Sequence, residues 1–316
     1  MSVRQTIGEN STFQHRQQQL YTILSNRKAL ISLTILPVLF LLTFILFIPI
    51  LWAVAGSFHE IPAFVPEWTY VGTSNYVDVL TGDRFWWSLA KSTVFAVASV
   101  ILQLVVGVAV ALLIAREFKY NKLVRAICLL PYLVPTAMLG FVMTFVFNGQ
   151  YGVLNHIAME LGLVAERVRW FGNQDTAMAM LITSTAWKYS IFVTIMVLAR
   201  IQSIPDGYYE AARVAGASWW QTFRDITLPN LKGVIFIVVL LRGIWMFNKF
   251  DIIWVMTRGG PAGATETAPI YAYRVGFREL SLGHAAAISV LLFVILIVGA
   301  LIYFYVLEPE EEVRVE

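Results

Sequence analysis

Apolar residues fall into six long runs separated by polar segments, at 30–55, 88–115, 124–147, 177–200, 233–256 and 285–306. About 20 mostly apolar residues cross the roughly 30 Å of hydrocarbon in a bilayer. Lipid offers no hydrogen-bond partner, so each run must satisfy its own backbone groups as a helix. The runs are continuous; a β-barrel would alternate over roughly ten-residue lengths. The pattern predicts an all-α polytopic membrane protein with six transmembrane helices. Pro37 and Pro49 in the first run, and Pro131 and Pro135 in the third, predict kinks.

Composition agrees with this reading. The 316 residues are 58% hydrophobic and 14% charged, against about 45–50% and 25% in soluble domains. Mean hydropathy is +0.70. The net charge of +3 is too small to suggest nucleic acid as a partner. Cys128 is the single cysteine, which excludes an intrachain disulfide, and His15, His59, His156 and His284 are too scattered for metal-ligand spacing. Residues 1–29 are polar, and the run after them is far longer than a signal-peptide core, so it is expected to stay as a span.

Lys and Arg set the orientation. The segments before the first span, between the second and third, and between the fourth and fifth hold twelve of them, from Arg4 to Lys232. The three opposite segments hold seven, offset by nine acids. Both termini are therefore expected in the cytoplasm, including the acidic tail 308–316. Trp68, Tyr70, Trp86, Trp87 and Trp170 on the other side fit an aromatic belt at the headgroups.

The cytoplasmic loop 202–232 is dense in local signals. Pro205 ends the incoming helix and Asp206 is positioned to cap a new one. In it Tyr208, Ala211, Ala212 and Ala215 recur at i, i+3, i+4 and i+7, a narrow face dominated by methyl groups, with Glu210 and Arg213 off that face. Gly216 stands where a positive φ commonly ends a helix. Ser218-Trp219-Trp220-Gln221 fits a capping box, so a second helix restarts at once. Leu228-Pro229 is expected to close it before the fifth span. An alanine face allows close approach by a partner backbone; the alternative is a surface helix packed on its own protein.

The spacing Glu210-Ala211-Ala212, three residues, Gly216, nine residues, Ile226-x-Leu228-Pro229 resembles the EAA loop of permease subunits of type I ABC importers. In that family the loop is a coupling helix seated in a cleft of the ATPase subunit. The resemblance implies ATPase-coupling roles for Tyr209, Glu210, Ala211, Ala212, Arg213, Gly216, Leu228 and Pro229. Ala215 departs from the aspartate many members carry before the glycine, which removes one polar contact. A second stretch, Phe247-Asn248-Lys249-Phe250-Asp251 and Thr257-Arg258-Gly259-Gly260-Pro261 with Thr265, Thr267 and Tyr271-Ala272-Tyr273, is similar to carbohydrate permeases such as the maltose, trehalose and glycerol-phosphate importers.

Charges also occur within the runs. Lys188 lies in the fourth, and Arg242, Lys249 and Asp251 lie in the fifth. Each costs at least about 2.5–3.5 kcal/mol at mid-bilayer, so these faces must meet protein or water. Tyr189, Asn248, Asp251 and Trp245 are the candidate substrate path, offering polar groups and a ring to sugar hydroxyls. The alternative is pairing between helices, such as Asp251 with Lys188.

No Gly-x-x-x-x-Gly-Lys-Ser/Thr occurs, so the chain is not expected to cradle a nucleotide. The resemblance implies no cofactor on this chain, with ATP and Mg²⁺ held by two ATPase subunits. It further implies a second homologous permease subunit, an extracytoplasmic sugar-binding protein and a prokaryotic plasma membrane. Two rivals stay open: an ABC permease for a non-sugar solute, and a secondary transporter, for which one intramembrane acid is few.

Overall fold

The computed structural model describes residues 27–62, 67–116 and 119–307. The expected N-terminal segment up to residue 26 and the tail 308–316 lie outside these. The chain divides into two compact units, Met1–Gly56 and Ser57–Glu316.

In the first unit, α1 (Leu30–Gly56) is an apolar rod long enough to cross a membrane. The expected prolines are absorbed without breaking it. Pro37 lies inside the helix. Just before Ile48-Pro49 a π turn, Thr43–Phe47, lets the Ile48 N–H reach back to the Thr43 carbonyl. That wider turn relieves the ladder where proline lacks its own N–H and its ring crowds the preceding turn.

The second unit holds the rest. A two-residue antiparallel pair, β1 (His59–Glu60) and β2 (Thr69–Tyr70), precedes the short α2 (Ser74–Thr81). Then come α3 (Asp83–Ala115), α4 (Asn121–Leu133), α5 (Thr136–Val146), α6 (Val153–Glu160) and α7 (Gln174–Gln202). They are followed by α8 (Asp206–Val214), α9 (Trp219–Phe247), α10 (Asp251–Met256), α11 (Ala268–Phe277) and α12 (Leu282–Leu307). Among the described residues, five single helices, α1, α3, α7, α9 and α12, are long and apolar enough to span.

The third expected span is not a single rod. α4 and α5 meet at 93°. Pro135 stands at the bend with extended ψ, as N-cap of α5, and removes a ladder donor there. The fifth span is also shorter than its apolar run. α9 stops at Phe247, and α10 restarts after Asn248–Phe250. Periodicity reads apolar residues on both sides of such a break as one segment.

α3 and α7 form the axis of the unit. Gly107 sits at their closest approach: a Cβ there would lie 2.5 Å from the Val193 Cβ and 2.7 Å from the Ser190 carbonyl. The central core combines Phe95, Leu139, Leu181, Met246, Ile252 and Ile270, so it draws on α3, α5, α7, α9, α10 and α11 together. A second cluster around Ile288 and Phe85 seats α12 on α2, α3 and α11. The outward faces of α3, α9 and α12 keep large apolar side chains exposed, including Val105, Ile237 and Leu301. In water that surface would be costly; in lipid it is the solvated face.

Candidate functional site

Two places gather the residues that the sequence singles out. The first is the loop between α7 and α9. α8 starts one residue away from the expected cap: Pro205, with extended ψ, is the N-cap, and Asp206 is the first helical residue without a capping bond. Proline presets the turn and leaves no N–H to satisfy. The end of α8 follows the sequence. Gly216 has φ +71°, its N–H bonds the Arg213 carbonyl at 3.1 Å, and the Ala217 N–H bonds the Ala212 carbonyl at 2.9 Å. This is a Schellman closure. The capping box then forms in full: the Gln221 N–H donates to Ser218 Oγ at 3.3 Å, and the Ser218 N–H donates to Gln221 Oε1 at 2.7 Å.

Leu228-Pro229 does not close the second helix. α9 runs without a break from Trp219 to Phe247. A π turn, Phe223–Thr227, precedes Leu228, whose N–H bonds the Phe223 carbonyl. The device is the one seen before Pro49, and it turns a helix-stopping dipeptide into a helix-continuing one. The consequence is mechanical: the foot after Gly216 and the membrane span are a single helix. Arg200 Nε donates to the Asn230 carbonyl at 2.8 Å, fastening the end of α7 to that helix.

α8 has no buried residue. Tyr208 is 53% exposed and Val214 91%. Ala211 and Ala215 are exposed, while Tyr209 and Ala212 are half-buried. Tyr209 shares a hydrogen bond with Thr227 at 3.3 Å. Arg213 and Glu210 form only a long surface pair at 3.9 Å. The helix is thus held at its ends and by one tyrosine, and among the described residues nothing buries Tyr208, Ala211 or Ala215 of its alanine face, while Ala212 is half-buried.

The second place is a polar knot inside the bundle, centred on Tyr189 of α7. The ring is 8% exposed. Arg242 of α9 lies 4.5 Å from its centroid and Lys249 Nζ 4.7 Å. Lys249 donates to the Tyr189 hydroxyl at 2.7 Å, and Thr136 lies 3.2 Å from the same oxygen. The expected pairing of Asp251 with Lys188 is not made. Asp251 pairs with Lys249 at 3.0 Å, because the break at Asn248–Phe250 brings those two neighbours together. Lys188 instead donates to the Val134 carbonyl and to Thr136 Oγ1, across the α4–α5 bend. Val134 lies in the bend outside both helices, and the lysine covers the carbonyl left free there.

Arg242 is 2% exposed. Its Nε donates to Gln103 Oε1 at 2.8 Å, and its guanidinium also faces Phe192 and Trp245. Among the described residues no carboxylate lies within ion-pair reach of it. Aromatic faces and an amide carry this buried cation. Of the four expected path residues, Tyr189 is buried with its hydroxyl engaged. Asn248 and Asp251 are exposed at the break, and Trp245 is exposed on α9. Gln103 was missed; its only signal was being the one amide in the run 88–115.

The Thr257–Thr267 loop carries the second resemblance, to carbohydrate permeases. It is pinned by Glu266, 5% exposed. Arg84 grips both carboxylate oxygens, at 2.7 and 3.3 Å, and Arg274 bonds one of them. Arg84 also reaches Glu279 at 2.7 Å. Burial pushes the Glu266 carboxyl up, but the guanidinium groups of Arg84 and Arg274 outweigh it and hold it below the usual range.

Known proteins share this architecture. The chain superimposes on a bacterial ABC transporter involved in import of the acidic polysaccharide alginate with a TM-score of 0.77 at 23% identity, covering 91% of this chain and 97% of that one. It is 35% identical over 274 residues to the trehalose/maltose transport system permease protein MalF of Thermococcus litoralis, 87% of this chain and 92% of that protein. It is 34% identical over 250 residues to the diacetylchitobiose uptake system permease protein DasB of Streptomyces coelicolor, 78% and 76% of the two chains. Residues 103–309 match the model of the binding-protein-dependent transport system inner membrane component. With that match spanning most of the bundle, the chain belongs to this family of ABC-importer permeases.

Proposed function

We propose that this chain forms half of the translocation path of an ATP-driven sugar importer, and that α8 transmits the motion of a separate ATPase to the spans. The observation that carries the coupling reading is that α8 buries none of its residues, while Gly216 closes it directly before a helix continuous with a membrane span. A partner seated on Tyr208, Ala211 and Ala215 pushes on a short arm; the uninterrupted α9 carries that push into the bilayer. Ala212 borders the seat, while Glu210 and Arg213 stand off that face. In this reading the loop lies in the cytoplasm, as do both termini. ATP and Mg²⁺ belong to two ATPase subunits, a second permease completes the path, and a binding protein delivers solute to the opposite side.

The sugar assignment rests on relatives whose names state trehalose, maltose and diacetylchitobiose transport. Asn248 and Asp251 stand exposed beside the break in the fifth span, where an open backbone and a carboxylate suit hydroxyl groups. The test is reconstitution with co-purified partners and measurement of solute-stimulated ATP turnover. Stimulation by an oligosaccharide, lost in Ala212→Trp with insertion intact, is the expected result. Full stimulation in Ala212→Trp overturns the coupling role, and stimulation by a polyamine, phosphate or sulfate alone overturns the sugar assignment.

A further inference from the structure

A cavity of about 840 Å³ opens between the coupling loop and the span ends beside it. Its walls come from five elements: α3, α4 and α7 on one side, and α8 and α9 on the other. Among the described residues, Arg116 and Arg125 line the span side, Arg213 lines the loop side, and Asp206 is the one acid on the wall. The lining therefore carries three cations and one anion, a balance of plus two. Arg125 spends its guanidinium on neutral partners, the Ile114 carbonyl at 3.1 and 3.4 Å and the Gln202 amide oxygen at 3.2 Å. Arg116 is exposed, and Arg213 has only its long surface contact with Glu210.

Trp219, Phe223 and Tyr209 supply flat apolar surface in the same cavity. On α8 the cavity residues Asp206, Tyr209 and Arg213 recur at i, i+3 and i+7. They occupy the opposite side of the helix from the exposed Tyr208, Ala211 and Ala215. A partner on the alanine face leaves this side open.

The geometry points to a binding site for a phosphate ester, beneath the coupling helix and separate from the solute path. At neutral pH a phosphomonoester carries about −1.5 to −2 charges, which matches the surplus of the lining, and a phosphodiester lipid headgroup carries about −1, which the surplus exceeds. Arginine forks suit its oxygens, and the volume lies within the roughly 300–1,000 Å³ of small-molecule sites. The rings accept the ligand's carbon body, and Asp206 accepts from its hydroxyl groups. Two sources share this chemistry: a soluble sugar phosphate and an anionic lipid headgroup. An occupant bonded to Arg125 and Arg213 together ties α8 to the spans, which makes it an effector of coupling. That consequence rests on the coupling role of α8; occupancy itself does not.

The experiment uses the assembled transporter in nanodiscs and reads binding without ATP turnover. Glucose 6-phosphate is titrated in phosphatidylcholine discs by calorimetry, with glucose as the control. In parallel, retention of phosphatidylglycerol is read by native mass spectrometry. Parent protein is compared with Arg125→Gln and with the exposed Arg116→Gln, which covers the case in which Arg125→Gln fails to insert. Saturable binding of glucose 6-phosphate, absent for glucose and weakened about tenfold in the variants, supports the site with a soluble ligand. Phosphatidylglycerol retained by the parent and lost from the variants supports it with a lipid ligand. Absence of both, or binding equal in parent and variants, overturns it.

Discussion

Lys249 donates to the hydroxyl of Tyr189 at 2.7 Å, joining the break in the fifth span to the middle of the fourth. The bond crosses from the break after α9 to α7, at the point where the apolar run loses its helix. It also places a second cation on a ring already faced by Arg242. Tyr189→Phe keeps the ring for both cations and removes only the hydroxyl. The expected cost is about 1–2 kcal/mol, that of one charge-assisted hydrogen bond. Tyr189→Leu removes the ring as well and costs more, because the buried Arg242 then loses the nearest of the three rings it faces. Thermal unfolding in detergent should rank parent above Phe above Leu; equal losses for Phe and Leu contradict the cation–ring role.

Asn248 and Asp251 sit at the same break and are exposed. Replacing each separately with Leu is expected to raise the solute concentration for half-maximal uptake while assembly stays normal. Unchanged uptake kinetics in both variants removes them from the path.

Glu266 gives a pH signature. Its ordinary pKa is 4.5, and in the folded protein burial raises it while Arg84 and Arg274 pull it further down. A carboxylate with a depressed folded pKa stabilises the fold fully above its unfolded value. That contribution drains as pH falls from 4.5 through the depressed value. Arg84 is 42% exposed, so solvent screens the pair, and Glu266→Gln is expected to cost about 1–2 kcal/mol at neutral pH. The variant should also lose this part of the acid sensitivity. Unfolding temperatures against pH, compared between parent and variant, provide the check; parallel curves contradict the assignment.

Gly216 has φ +71° and open space around it, so Gly216→Ala meets only the backbone penalty, about 1–2 kcal/mol on the helix end. Gly216→Pro is worse: proline fixes φ near −65° and deletes the N–H that bonds the Arg213 carbonyl. Membrane insertion should survive in both. Solute-stimulated ATP turnover is expected to fall in Ala and vanish in Pro, and equal turnover in all three proteins argues against a defined helix end.

Gly107 tests the axis of the bundle. A methyl group there meets the Val193 side chain and the Ser190 backbone inside van der Waals distance. Gly107→Ala forces α3 from α7 and is expected to cost about 1–3 kcal/mol. Gly243→Ala, where nothing lies within 4 Å inside α9, is the matched control and should hold or raise the unfolding temperature, since alanine favours a helix interior by about 0.5–1 kcal/mol.

Composition and run length alone determined the helical membrane class, because lipid forces any such run to close its own hydrogen bonds. Local chemistry also determined the Schellman closure at Gly216 and the capping box at Ser218, since both depend on residues within one turn. Tertiary structure decided what crosses between segments. Pro135 turns one apolar run into two helices at 93°, whereas Pro229 and Pro49 sit in unbroken helices behind π turns. The same residue type yields opposite results because the wider turn upstream relieves what proline crowds. Likewise Asp251 chose Lys249 over Lys188, and Gln103 and Glu266 became partners of Arg242 and Arg84, across 139 and 182 positions. Such pairings follow from which helix faces meet, and spacing along one chain segment does not encode them.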